Sequence, residues 1–161
     1  MRFGFEQRWD APIDEVLDVY VDRAFWTSLS GLSTTSPPEL LGLERDGTRA
    51  IVRLRYRLAV SLPKEASRFI DPDEVAWDEE HQWDLVAKRA DIAFRPLQAA
   101  ALLRASATSE LTIDGDDTVR TIKGELKIRI PLVGGRVEHA IVNGIGDHLA
   151  EEADAVADHL G

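Results

Sequence analysis

The chain has 161 residues, of which 44% are hydrophobic and 30% charged, with no cysteine and with 29 acidic against 19 basic side chains for a formal charge of −10. That length suits about one domain, residues 1–161, and the missing cysteine excludes disulfides, thiolate metal sites, iron–sulfur clusters and cysteine nucleophiles. The negative charge disfavours nucleic acid and anionic membranes as partners; with no apolar leader and no run of roughly 18 apolar residues, the expected setting is the cytoplasm, without membrane insertion.

Residues 2–9 alternate Phe3, Phe5, Gln7 and Trp9 against Arg2, Glu6 and Arg8, the period-two pattern of a strand with one buried face. Asp10-Ala11-Pro12 ends it, with Asp10 as a candidate cap. Val16, Leu17, Val19 and Tyr20, then Ala24, Phe25 and Leu29, recur at helical spacing; a break near Asp22 predicts two short helices. Ser30–Pro38, rich in Gly, Ser, Thr and Pro, reads as a loop.

From Glu39 the period is two for most of the chain to residue 130, with breaks at Asp46-Gly47, Asp71-Pro72-Asp73, Arg95-Pro96 and Asp114-Gly115. This predicts antiparallel strands joined by turns. Thr48–Val60 carries Arg49, Arg53, Arg55 and Arg57 on one face, and Val75–Asp84 carries Asp78, Glu80, Gln82 and Asp84. As neighbours, these rows would meet on the solvent face. Further strands are expected at about 85–94, 101–113 and 118–130. After Pro131 the period becomes 3.6: Val137, Ile141, Ile145, Leu149, Ala153, Val156 and Leu160 form one stripe of a long closing helix. Gly144 and Gly146 leave its continuity open, because each costs about 1 kcal/mol in a helix interior.

This order describes an α+β arrangement: a curved antiparallel sheet of about seven strands wrapped around the closing helix. Such a sheet touches the helix along a line, and the rest of its concave face is either filled by large side chains or left as a cavity. The inward positions of 101–113 are Leu103, Ala105, Ala107, Ser109, Leu111 and Ile113, half of them small, which is compatible with a cavity.

The element order, the aromatic first strand ending in Asp10-Ala11-Pro12 with Glu15-Val16 and Phe25-Trp26 downstream, and the final strand running into Pro131-Leu132-Val133-Gly134-Gly135-Arg136-Val137-Glu138 resemble START-like (SRPBCC, helix-grip) proteins. Within that superfamily the octapeptide is similar to the bacterial domain of unknown function 2505 family. The resemblance spans essentially the whole chain. It implies a cavity between sheet and closing helix for a small lipid- or polyketide-like molecule, and it supplies no universal catalytic residue.

On that picture a ligand meets Trp77, Glu79, His81, Trp83 and Phe94 from the middle strands, and Leu103, Ala105, Ala107, Leu126 and Ile128 from the last two. Ile141 and Ile145 face it from the helix. Glu79 and His81, at i and i+2 among tryptophans, are the candidates for general acid–base chemistry of the cyclase, dehydratase or hydrolase kind. Their bland reading is a strand near the sheet edge with both side chains reaching water. No metal and no cofactor is expected, since His81, His139, His148 and His159 form no ligand-spaced pair and no phosphate- or dinucleotide-binding loop is present. Gly134-Gly135 with Arg136 could hold an anionic head at the helix start, but close packing is the ordinary reading; Lys88 is expected to reach outward. The alternatives to a ligand-binding protein are an enzyme using Glu79 and His81, or a protein-interaction module such as a chaperone cofactor or homodimer.

Overall fold

The computed structural model describes residues Met1–Gly161 and begins with the expected strand, β1 (Arg2–Trp9). Two short helices follow, α1 (Ile13–Tyr20) and α2 (Arg23–Ser28). Asp22 separates them by capping α2, its Oδ1 accepting from the Ala24 N–H at 2.9 Å. Asp10 caps nothing: Pro12 occupies the cap position of α1 with extended backbone, and Asp14 and Glu15 supply negative charge in the first turn.

Six more strands follow: β2 (Glu39–Asp46), β3 (Arg49–Arg57), β4 (Ala76–Asp84), β5 (Arg89–Pro96), β6 (Leu103–Asp114) and β7 (Asp117–Ile128). Together with β1 they make one antiparallel sheet of order β1-β7-β6-β5-β4-β3-β2. The strand expected at 85–94 starts later, at Arg89, because residues 85–88 turn: the Asp84 carboxylate accepts from the Val86 and Ala87 N–H groups, and Lys88 takes φ 57°. On the outer face the arginine row of β3 meets the acidic row of β4, with Arg53 on Glu80 at 3.0 Å and Arg55 bidentate on Asp78 at 2.7 and 3.0 Å. Such exposed pairs stabilise by only a few tenths to about 1 kcal/mol each, but they favour one register. That register turns Trp77, Glu79, His81 and Trp83 inward.

The closing helix α3 (Gly134–Leu160) is unbroken, and its two doubtful glycines play different parts. A Cβ on Gly146 would stand 2.8 Å from the Phe5 ring, so the helix lies against β1 there; a Cβ on Gly144 would meet nothing within 4 Å. In β7 a Cβ on Gly124 would fall 2.5 Å from both the Phe3 ring and the Ser106 carbonyl, so only glycine fits where β1 and β6 close in on it.

The buried apolar side chains form three clusters. The first joins α1, α2, β3 and the end of α3 around Tyr20, Trp26, Leu54, Trp83 and Val156. A second holds Leu126, Ile128 and Ile130 against Ala66 and Val137 at the start of α3. The third is small: Ile92, Ala107, Ile122 and Leu149. Buried polar side chains such as Gln7, Ser109, Arg120 and Glu152 interrupt a core that would ordinarily be contiguous.

Candidate functional site

Between the first and third clusters lies a buried polar layer. Arg120 points inward from β7, 2% exposed, and its Nη1 donates to Glu152 Oε1 at 2.8 Å and to Gln7 Oε1 at 3.0 Å. Its Nε donates to Ser109 Oγ at 2.7 Å, and its guanidinium carbon stands 4.2 Å from the centre of the Tyr20 ring. The Tyr20 hydroxyl donates to Glu152 at 3.0 Å, and Gln7 Nε2 donates to the Leu149 carbonyl at 2.7 Å. Burial opposes the Arg120 charge, but Tyr20 and Glu152 outweigh it and its pKa is raised. The small residue at Ser109, counted from sequence as room for a cavity, therefore accommodates a guanidinium. Sequence reading singles out neither end of this pair, although the signal is there: Arg120 is in phase with Ile122 and Leu126 on β7, and Glu152 lies one turn from His148 and Val156 on α3.

Beyond this layer the concave face is less tightly closed. Trp77 and Glu79 on β4, Phe94 on β5, Leu103 and Ala105 on β6, and Ile141 and Ile145 on α3 all face the sheet–helix interval and are only half-buried. An inward side chain retains accessible surface only where solvent-sized space adjoins it, so the interval is open there. Gly144 borders the same stretch of helix.

The other expected site residues lie elsewhere. Trp83 is fully buried against Tyr20, and His81, Ala107, Leu126 and Ile128 are also buried, leaving a ligand almost no surface to touch. Nor is β4 near an edge: β3 and β5 flank it. Lys88 reaches outward to Asp14 at 3.5 Å. At the start of α3 a Cβ on Gly134 would stand 2.6 Å from the Ile128 carbonyl oxygen, and Arg136 pairs with Glu65 at 2.6 Å; close packing describes this corner. Two open depressions of about 450 and 590 Å³ lie chiefly over the opposite, outer face of the sheet, around Arg2, Gly4 and Lys123 and around Arg104, Ser106 and Lys127. No group of three or more His, Asp or Glu side chains is placed to hold a metal ion. No helix is long and apolar enough to cross a membrane.

Inside the interval, Glu79 is held by two donors: Trp77 Nε1 reaches its Oε1 at 3.0 Å and His81 Nε2 its Oε2 at 2.9 Å. Burial pushes its carboxyl up, but the bonds from His81 and Trp77, with His148 nearby, outweigh it and hold the carboxyl below the ordinary glutamate range. His81 Nδ1 is sealed from solvent without a partner. Tyr56, opposite Trp77 on β3, stacks on that indole at 5.8 Å and meets the His148 ring edge-on at 5.3 Å. Burial, then Glu79 and Glu152, push its phenol well above the ordinary range. The tyrosine is almost wholly buried and its hydroxyl makes no hydrogen bond. His148, whose Nδ1 is 3.4 Å from Thr35 Oγ1 and whose Nε2 is 3.8 Å from Glu152, joins this corner to the Arg120 layer.

Comparison with known proteins agrees with this architecture. The family described as Protein of unknown function (DUF2505) matches residues 5–160, and the chain belongs to it. No curated protein matches the sequence. Among solved structures the chain is similar to TTHA0849 from Thermus thermophilus, at 18% identity and TM-score 0.68 over 99% of this chain and 97% of that one. It is similar to the Zhui aromatase/cyclase from Streptomyces sp. R1128, at 17% identity and TM-score 0.65 over 99% and 93%. Norcoclaurine synthase from Thalictrum flavum matches at 18% identity and TM-score 0.63 over 98% and 84%. At these identities the likeness is one of fold, the START-like helix grip.

Proposed function

We propose that this member of the DUF2505 family binds a small hydrophobic molecule between the concave face of its sheet and the middle of α3. The observation that carries the reading is a row of apolar side chains, Trp77, Phe94, Leu103, Ala105, Ile141 and Ile145, that face inward and yet keep accessible surface. Covering that surface with an apolar ligand would gain about 25 cal/mol for each Å² removed from water. The aromatase/cyclase and norcoclaurine synthase neighbours share the fold and are consistent with small-molecule binding. A neutral apolar fluorophore such as phenylnaphthylamine should bind saturably, and Ala105→Trp, adding bulk to the interval, should abolish binding while the fold persists by circular dichroism. A folded protein that takes up no probe and copurifies with no apolar compound would contradict the proposal.

A second reading is catalytic, favoured by the orientation of Glu79. A largely buried carboxylate fixed by Trp77 and His81 is arranged to accept a proton from a bound substrate, with His81 as a positioning residue behind it rather than a partner in contact with substrate. Under this reading Glu79→Gln removes turnover of a bound substrate while leaving its affinity nearly intact, whereas undiminished turnover in that variant excludes Glu79 as the base.

A further inference from the structure

We infer that this protein docks on an anionic lipid bilayer through the end of the sheet where β5 passes to β6 and β7 to α3. Apolar loop tips there enter the headgroup region, and basic side chains behind them meet the lipid phosphates. Docking of this kind goes beyond the uptake of a ligand in the interval and does not depend on it.

In a chain that is 30% charged, two uncharged stretches, residues 97–102 and 130–135, come together at this end. The Arg129 N–H donates to the Leu102 carbonyl at 2.7 Å, and Leu103 pairs with Ile128. Leu97 is 45% exposed and Leu132 fully exposed, with Ala100, Ala101 and Pro131 exposed beside them. Ala99 takes φ 52° and Leu132 φ 68°, so two of the three non-glycine residues with left-handed backbone lie in these two loops. Leucine adopts that conformation at a cost which glycine or asparagine would avoid. A strained turn that holds an apolar side chain wholly in water gains from a partner that covers it. The turn of residues 64–69, packed through Ala66 into one cluster with Ile128 and Ile130, adds Phe69, 46% exposed.

The cations behind these tips are ones the protein leaves unmatched. Elsewhere on the outer face Arg8, Arg53 and Arg55 meet carboxylates at 2.7–3.3 Å. Arg104 instead stands directly opposite Lys127 across β6 and β7, a placement that is unfavourable for like charges, and neither Arg104 nor Arg129 forms an ion pair. Lys127 has only Glu138, 3.8 Å away, and the nearby Glu125 is already bound to Arg2 at 3.0 Å. A depression of about 590 Å³ among Arg104, Lys127 and Arg129 gives lipid phosphates room. The chain's charge of −10 would by itself repel such a surface, but that charge is segregated. The acidic turn of residues 114–117 closes the far end of β6 and β7, and Asp154 and Asp158 lie near the far end of α3. At about 3.3 Å per residue β6 puts that turn roughly 30 Å from Arg104, about three Debye lengths at 0.1 M salt. Of the acidic residues at the near end, Glu65 is paired with Arg136 at 2.6 Å, and Asp71, Asp73 and Glu74 precede β4, two strands from β6. Apolar tips backed by cations suit a surface that is oily just beneath an anionic layer, whereas an acidic protein would meet the cations and leave Leu132 in water.

Large unilamellar vesicles of phosphatidylcholine, alone or with about 30% phosphatidylglycerol, sedimented with the protein at about 0.1 M salt, read the partition directly. The mixed vesicles should take up the protein at least about tenfold more strongly than phosphatidylcholine alone, and high salt should remove most of the difference. Leu132→Asn, a side chain suited to left-handed backbone, should lower uptake about tenfold. Each basic side chain near an anionic surface is worth about fivefold, so Arg104→Gln with Arg129→Gln should lower uptake by the mixed vesicles at least about tenfold and leave the weak uptake by phosphatidylcholine unchanged. Arg8→Gln removes a positive charge at the far end of the sheet and should change nothing. These side chains are exposed, and every variant should melt close to the parent. No uptake by the mixed vesicles, which would leave the patch to an acidic protein, overturns the inference. So does equal uptake by the two lipids, or uptake that the two patch variants leave undiminished. None of these results alters the uptake of an apolar probe in the interval.

Discussion

Removing one member of the Arg120–Glu152 pair should be among the costliest single changes in this protein, while removing both should cost less than the two losses added together. Arg120 and Glu152 side chains are 2% and 5% exposed, so a lone survivor would keep a charge that water cannot reach. Breaking such a pair costs about 3–5 kcal/mol. For a chain of this size each kcal/mol lowers the melting temperature by roughly 2–4 °C, so Glu152→Leu should melt roughly 6–20 °C below the parent. Arg120→Met should do likewise, because Glu152 would keep only the Tyr20 hydroxyl at 3.0 Å, the long Gln7 contact at 3.3 Å and distant His148. In the double variant no buried charge is stranded. Ser109 loses its partner, at about 1–3 kcal/mol, while Gln7 keeps the Leu149 carbonyl and the Tyr20 hydroxyl. Urea unfolding of the four proteins closes the double-mutant cycle, and a coupling of at least about 1 kcal/mol is expected. Additivity within about 0.5 kcal/mol would show that the two charges do not depend on each other and would refute the reasoning.

The two helix glycines should respond in opposite directions. Gly144→Ala meets no atom within 4 Å and should stabilise by about 0.5–1 kcal/mol through helix propensity, whereas Gly146→Ala presses on Phe5 and should destabilise by about 1–3 kcal/mol; thermal melts read both. The chain has two tyrosines, Tyr20 and Tyr56, both fully buried with phenols raised by burial above the ordinary 10, so they favour the fold below that pH and this contribution fades as pH rises beyond it. Tyrosinate absorbance should therefore appear only with cooperative alkaline unfolding, and a simple titration near pH 10 in folded protein would contradict the burial. Glu79, held below the ordinary range, contributes stability that is present above about pH 4.3 and lost as pH falls through its lower folded value. Stability in Glu79→Gln should thus fall less steeply with acid than in the parent, as measured by urea midpoints across that window.

Much of this was legible because periodicity reports which way a side chain points. The alternation in β3 and β4 placed Arg53 and Arg55 against Glu80 and Asp78, and through them placed Trp77, Glu79, His81 and Trp83 on the inner face. Depth is a different property, and period two does not encode it. His81 and Glu79 alternate identically along β4, yet His81 is 3% exposed while Glu79 keeps accessible surface, because Trp26 packs edge-on against the imidazole at 5.8 Å from another part of the chain. Burial of that kind depends on which distant element lies overhead. Ser109 shows the same limit: a small residue left room, but whether a ligand or a guanidinium fills it depends on the strand beside it.

The Arg120 layer also bears on why the opposite end can remain open. Buried ion pairs contribute little net stability, but they tolerate few alternative arrangements, and this one ties three strands and α1 to the second half of α3. Trp9 Nε1 donating to the Ala153 carbonyl at 3.0 Å and Ser33 donating its backbone N–H to Glu151 at 2.7 Å fasten the same half. The first half is tied separately, by Glu138 accepting from the Ile128 N–H at 3.0 Å and by Arg136 on Glu65. Between them, residues 139–147 make no side-chain hydrogen bond, and Gly146 lies against the Phe5 ring of β1. The middle turns are held by apolar contact instead, Ile141 against the Leu126 and Ile128 cluster and Ile145 against that of Ile122 and Leu149, and both side chains still keep accessible surface.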